Sequence, residues 1–348
     1  MPFTILSSSY SNSVYTISLD PESSTLKTSS IEIGYHPSWI TFHPSDKSLA
    51  FTGLEQANGK IIAIKYDGNY KGTVVAESSS GGMHPCDLAV VKDELLIANY
   101  GNGTVSTLPV SKDAPYILAE APTHTITLSG SGPNKGRQER SHAHQVFYSE
   151  EYDELFVPDL GGDRVYRLKQ NANGVWTIES HIDNEPGSGP RHVAIYDGRL
   201  YTLLELKSLL AAHSLPDAQF FTKTSTMFNP PTQPNYMLAA AILLPKPNAT
   251  FTVPYIYVSN RNDPSPEGDS VAIFSIANPD APELIAEVRT GLDHLRGMAF
   301  GGPDDKYLVA GGANGGGVKV FERTEGGKNL KLIAEDPSVK APTGFIWV

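Results

Sequence analysis

Apolar positions along the chain recur at every second residue or gather in short unbroken runs, and no segment carries a helical period. The pattern predicts strands throughout, and it repeats. From His36, "HPSWITFHPSDKSLAFTGLEQANGKIIAIKYD" reads as a short apolar strand, a polar turn, a second apolar strand, a Gly/Asn-bearing turn and a third alternating strand. The same order returns at His84 ("HPCDLAVVKDELLIANYGNGTVSTLPV"), His142, Pro190, Met237 and His294. A looser fourth stretch follows each unit, and the spacing of roughly 45 to 60 residues is that of propeller blades.

The two ends complete the count. "APTGFIWV" (Ala341–Val348) matches a first strand, and "FTILSSSYSNSVYTISLD" (Phe3–Asp20) matches a second and third. The pattern therefore predicts an all-β, seven-bladed β-propeller spanning 1–348 as a single domain. Its last blade is closed by the N-terminal strands plus the C-terminal strand, which removes free sheet edges. A pair of β-sandwiches, or six blades with a stray hairpin, are the competing readings. Seven first strands and seven second–third pairs, counted independently, favour the propeller.

In a four-stranded blade the start of the first strand and the end of the second share one face near the axis, so these junctions are expected to converge. Concave mouths built from several loops are where ligands bind. First-strand starts carry His36, His84, His142, His144, Arg191, His192, His294 and Arg296; second-strand ends carry Glu55, Asn99, Asp159, Glu205, Asn260, Arg261 and Asn314. Six of the ten histidines thus map to one rim. Several have a plainer explanation. His36 and His84 precede proline, which restricts them and favours a role in shaping the entry to the strand. Asn99, Asp159 and Asn314 precede Gly-bearing turns and suit turn formation. Glu205 interrupts an apolar strand, so its carboxylate is poorly solvated or paired, with Arg191 and Arg261 as natural partners. His142 and His144, at i and i+2, can face the same side of a strand. No Cys/His/Asp set at zinc spacing backs them, and no metal is assigned.

Composition narrows the function. The net charge of −11 and the lack of a basic run argue against a nucleic-acid partner. Cys86 is the single cysteine, expected to be a small buried apolar residue. The N-terminal stretch lacks a secretory pattern and "MLAAAILLP" is too short to span a bilayer. The expectation is a cytoplasmic protein without a membrane partner, and a closed propeller without a free edge predicts a monomer.

Three stretches, "SHAHQVFYSEEYDELFVPDLGGDRVYRL", "GSGPRHVAIYDGRLYTLLELKSL" and "YIYVSNRND…DSVAIFSI", resemble the seven-bladed lactonase family. That family includes propeller-type 6-phosphogluconolactonases and fungal carboxy-cis,cis-muconate cyclases. The resemblance covers nearly the whole chain and is strongest from Ser141 to Ile276. It implies a site of one His, two Arg and one Glu, which by motif position fall on His144, Arg191, Glu205 and Arg261. Two departures flank that site: Leu204 stands where Asn is common, and Asn262-Asp263 stand where Gly usually follows the "SNR" motif.

The implied activity is hydrolysis of a sugar-derived, anionic lactone such as 6-phosphogluconolactone, without a cofactor. His144 would act as base or proton shuttle, Arg191 and Arg261 would hold a carboxylate or the oxyanion, and Glu205 would orient an arginine or act as an acid. His84, Asn99, His142, Asp159, His192, Asn260, His294, Arg296 and Asn314 form the candidate substrate-binding set. A muconate-cyclase-like lactonising enzyme uses the same groups in reverse, and a non-catalytic ligand- or protein-binding propeller is the alternative from another class. Two long connections, Thr123 to His142 with Lys135, Arg137 and Arg140, and Pro216 to Tyr236, are expected as a surface loop or lid and as a wall of the mouth.

Overall fold

The computed structural model describes residues 2–232 and 236–348. Its strands are β1 (Phe3–Ser9), β2 (Ser13–Asp20), β3 (Thr25–Glu32), β4 (Pro37–His43), β5 (Asp46–Leu54), β6 (Lys60–Tyr66) and β7 (Gly72–Ser79). Next come β8 (Pro85–Val91), β9 (Glu94–Asn99), β10 (Thr104–Pro109), β11 (His124–Thr127), β12 (Phe147–Ser149), β13 (Glu154–Asp159), β14 (Arg164–Gln170) and β15 (Trp176–Asp183). β16 (Pro190–Tyr196), β17 (Arg199–Leu204), β18 (Leu209–Ser214), β19 (Phe220–Ser225), β20 (Leu238–Leu243), β21 (Tyr255–Arg261), β22 (Ser270–Ser275) and β23 (Glu283–Arg289) follow. The last are β24 (Asp293–Gly301), β25 (Tyr307–Gly315), β26 (Gly317–Thr324), β27 (Asn329–Asp336) and β28 (Pro342–Trp347). They form seven four-stranded sheets. Six run in simple chain order, and the remaining one is ordered β28-β1-β2-β3, so one strand from the C-terminal end joins three from the N-terminal end. The blade count and the shared sheet agree with the sequence pattern.

Contacts group the chain into two compact units. One comprises Met1–Ser7, Ile17–Ser29 and His192–Val348, and the other Ser8–Thr16 and Ser30–Arg191. In the second unit, Leu49 and Phe51 of β5 and Ile61 and Ala63 of β6 pack with Leu95 and Ile97 of β9. The intervening residues Leu96 and Ala98 of β9 pack instead with Leu155 and Val157 of β13. β9 is therefore buried on both faces, which is why "LLIA" reads as a run and not as an alternation. The first unit repeats this. Ile256 and Val258 of β21 join Leu203 and Leu210, while Tyr255 and Tyr257 join Leu308 and Ala310. Cys86 lies in the second unit's core with its thiol near the carbonyls of Ala143 and His144, at 3.5 and 3.6 Å.

The entry to the first strand has its own geometry. His36, His84 and His294 sit at φ of 49°, 53° and 59°, in the left-handed region, and Ala341 at 48°. A residue before proline is usually extended, and His36 and His84 are instead bent at the entry to their strands. Histidine is among the residues enriched there. The ladder then slips between Pro37 and Trp39, Pro85 and Asp87, and Asp293 and Leu295, a bulge that re-aims the strand end.

Candidate active site

The second and third strands of a blade meet in a fixed register: Asn99 pairs with Thr104, Asp159 with Arg164 and Leu204 with Leu209. These last paired residues of the second strand are wholly or almost wholly buried. The residue after each, Tyr100, Leu160 and Glu205, comes next along the chain, and a one-residue step turns the side chain to the other side. Asn260 and Arg261 of β21 repeat the two steps. The junction residues picked out from the sequence therefore belong to two registers with different work.

The first register is structural. Asn99 Nδ2 donates to Ser80 O, Thr104 Oγ1 and Ser106 Oγ. Asp159 Oδ1 accepts from the backbone N–H groups of His142, Gly161 and Gly162 at 2.7 to 3.0 Å. Asn260 Nδ2 donates to Thr226 O, and its Oδ1 accepts from Thr226 Oγ1 at 2.6 Å. Each side chain clamps a turn to its own sheet. Asn314 lies near the end of β25, beyond the Gly312–Gly317 pair, and is exposed.

In the second unit, two histidines meet one aromatic ring. His142 stacks on Tyr100 with centroids 4.4 Å apart and planes 17° from parallel, and His144 meets the same ring edge-on at 5.6 Å. His142 Nδ1 lies 2.8 Å from Tyr100 O and Nε2 lies 3.2 Å from Glu139 Oε2, so both nitrogens are engaged. His144 N donates to Pro158 O, and its ring is buried. Both histidines precede β12; the strand itself opens at Phe147. His84 packs over the turn after β9, where Gly101 leaves it room: a Cβ there would come within 2.4 Å of His84 Nδ1. Tyr35 stacks on His36 at 3.7 Å, and Tyr10 directs its hydroxyl toward Glu55. Burial holds His36 below its usual pKa, with Glu55 opposing. Arg191 is one of the largest fully buried side chains of the chain. Tyr100 was missed from sequence because it stands beside Asn99, in the register that turn chemistry does not flag.

In the first unit, β17 ends at Leu204 and Glu205 opens a single 3-10 turn, Glu205–Lys207. The expectation that Glu205 interrupts a strand is corrected accordingly. Ser208, at φ 49°, reverses the chain and returns its N–H to Glu205 O. This turn drives the Glu205 carboxylate inward, where its side chain is 2% exposed. Arg261 Nη2 donates to Glu205 Oε2 at 3.0 Å. The two are held by a knot around Thr226: its N–H donates to Ser208 O, and its hydroxyl donates to Asn260 Oδ1 at 2.6 Å with Ser208 O 3.0 Å away, while its carbonyl accepts from Asn260 Nδ2 next to Arg261. Arg261 Nη1 lies 3.4 Å from His294 Nε2, and His294 Nδ1 lies 2.8 Å from Asn262 Oδ1. His192 and Arg296 are buried in β16 and β24. Buried charge of this density is uncommon outside paired or functional groups.

The connection from Thr123 to His142 is tied down. It contributes β11 and buries Gln138 completely. Gln138 Nε2 donates to Leu160 O and Asp163 Oδ1, and its backbone carbonyl accepts from Gly132 N. Lys135 and Arg140 stay exposed. A cavity of about 440 Å³ beside this loop is lined by Ser131, Lys135, Asp163, Arg164 and Asp183 among others, and holds none of the four residues implied by the resemblance. The Pro216 to Tyr236 connection supplies β19, and its residues 233–235 lie outside the described residues. Among the described residues no three His, Cys, Asp or Glu side chains gather as a metal site, and no helix is long and apolar enough to cross a membrane.

Known proteins are similar to this chain. A 6-phosphogluconolactonase of Formosa agariphila is 29% identical over 312 residues, covering 86% of this chain and 84% of its own. One from Bacillus subtilis is 27% identical over 343 residues, covering 95% and 93%. The crystal structure of a putative 6-phosphogluconolactonase from Bacteroides fragilis superposes with a TM-score of 0.86 at 23% identity, covering 100% of this chain and 98% of that one, and shares the seven-bladed β-propeller fold. The profile described as "Lactonase, 7-bladed beta-propeller" matches residues 3–347, and this chain belongs to that family of lactonases.

Proposed function

We propose that the protein hydrolyses a sugar-derived, anionic lactone of the 6-phosphogluconolactone class, in the cytoplasm and as a monomer. The observation that carries the reading is the buried Arg261–Glu205 pair with His294 against the same guanidinium. Ester opening puts negative charge first on the carbonyl oxygen and then on the leaving alkoxide. A guanidinium that cannot lose its proton, in a site poor in water, stabilises that charge more strongly than bulk solvent does. Glu205 holds the fork of Arg261 in place. His144 is assigned the removal of a proton from the attacking water and its return to the ring alkoxide, so that lactone and water give the hydroxy acid. Arg191 is assigned the substrate's anionic group. His84, His142, His192, His294 and Arg296 are assigned to binding; Asn99, Asp159 and Asn260 act by holding the turns that carry them.

The test is proton release at constant pH on 6-phosphogluconolactone and gluconolactone, with spontaneous opening subtracted. Wild type is expected to accelerate the phosphorylated lactone more. Arg261→Lys keeps the charge but loses the fork, and is expected to lower kcat/KM about 100-fold. Hydrolysis no faster than buffer, or Arg261→Lys at wild-type rate, would refute the reading.

A further inference from the structure

Asn262 follows Arg261 directly and sits at φ 61°, in the left-handed region. Asparagine tolerates that conformation because its short side chain bonds locally. Here the carboxamide bonds twice. Nδ2 donates to Tyr236 O at 2.9 Å, which fixes the amide's orientation and points Oδ1 at His294 Nδ1, 2.8 Å away. The opposite nitrogen of that ring faces Arg261 Nη1 at 3.4 Å. A guanidinium has donors and no acceptor, so Nε2 must present its lone pair. The proton then belongs on Nδ1, where Asn262 Oδ1 receives it. A chain of one polarity results: Asn262 Oδ1 accepts from His294, His294 accepts from Arg261, and Arg261 donates onward to Glu205.

We infer that Asn262 is a positioning residue: its carboxamide locks His294 as the Nδ1–H tautomer, and the locked ring, with Glu205, sets the plane of the Arg261 guanidinium from both ends. This rests on the lactonase reading for its effect on rate, but not for the tautomer. Glycine at this position would satisfy the backbone equally well but remove the acceptor that holds the proton on Nδ1, so that the longer Arg261 contact, at 3.4 Å, favours that tautomer less strongly. The other tautomer turns an N–H toward the guanidinium and loses the contact.

The experiment uses protein labelled with ¹⁵N at histidine. Long-range ¹H–¹⁵N NMR reads the tautomer of each ring, with His294→Gln assigning the signal. The wild-type His294 is expected as Nδ1–H. Asn262→Gly, which suits a positive φ, is expected to move the signal toward the mixture found in water. It should lower kcat on the lactone about tenfold and change KM less than twofold. If the tautomer is unchanged in Asn262→Gly, the inference is overturned. It is equally overturned if the tautomer shifts while kcat stays at the wild-type value. If wild type turns over no lactone, the proposed function fails by itself, and the tautomer measurement still decides whether Asn262 sets the ring.

Discussion

Glu205→Gln isolates what the buried pair does for the fold. The side chains of Arg261 and Glu205 are 7% and 2% exposed, and their closest atoms are 3.0 Å apart. At an effective dielectric of about 20, charges about 4 Å apart attract by about 4 kcal/mol, and desolvation offsets much of that. Removing one partner is different, because the other charge stays buried without compensation; such changes cost about 3–5 kcal/mol. The glutamine oxygen can still accept from Nη2, which sets the expected loss near the low end, about 3 kcal/mol. Glu205→Gln combined with Arg261→Met removes the stranded charge and is expected to recover at least half of that loss while leaving no lactone hydrolysis. Urea unfolding followed by tryptophan fluorescence reads all four members of the cycle. Additive effects of the two substitutions, or a loss below about 0.5 kcal/mol for Glu205→Gln, would show that solvent already shields the pair.

His213 should make the fold acid-sensitive. Its ring packs edge-on to Phe220 at 5.4 Å, and burial pulls its pKa down to about 4. The unfolded chain takes up that proton near pH 6.5, so the stability held above pH 6.5 is lost as pH falls toward 4. The total is about 3 kcal/mol. Unfolding free energies measured at pH 7 and pH 4.5 should differ less in His213→Phe than in wild type, and an unchanged difference refutes the assignment. Gly161→Ala should destabilise by more than about 2 kcal/mol, because the added methyl would lie 1.7 Å from Arg140 O with fixed backbone behind it. A melting temperature equal to wild type would mean that the Arg140–His142 segment yields freely.

The blade count is legible in the sequence because each middle strand is buried on both faces, so "LLIA" and "YIYVS" stand out as runs between turns. The pairing of Glu205 with Arg261 was legible for a related reason: a carboxylate among leucines has few ways to be satisfied. What sequence could not resolve is register. Asn99 and Tyr100 are adjacent letters, yet one clamps a turn and the other carries two histidines, and turn chemistry draws attention to the first. The fate of the Thr123 to His142 connection was equally hidden. Its composition reads as a solvated loop, while one wholly buried glutamine ties it to Leu160 and Asp163.

The sheet that joins β28 to β1 pairs a strand made late with one made early. β1 leaves the ribosome long before β28, and the edge it shares with β28 has no partner until Pro342–Trp347 is made. At about 5–20 residues per second that interval is on the order of twenty seconds to a minute. An unpaired strand is a template for other chains throughout that time. The exposed strand ends in Ser7-Ser8-Ser9, three hydroxyls that are fully buried in the finished molecule. In the nascent chain they make the waiting edge more polar, and so less attractive to a passing strand, than the apolar runs of the other blades.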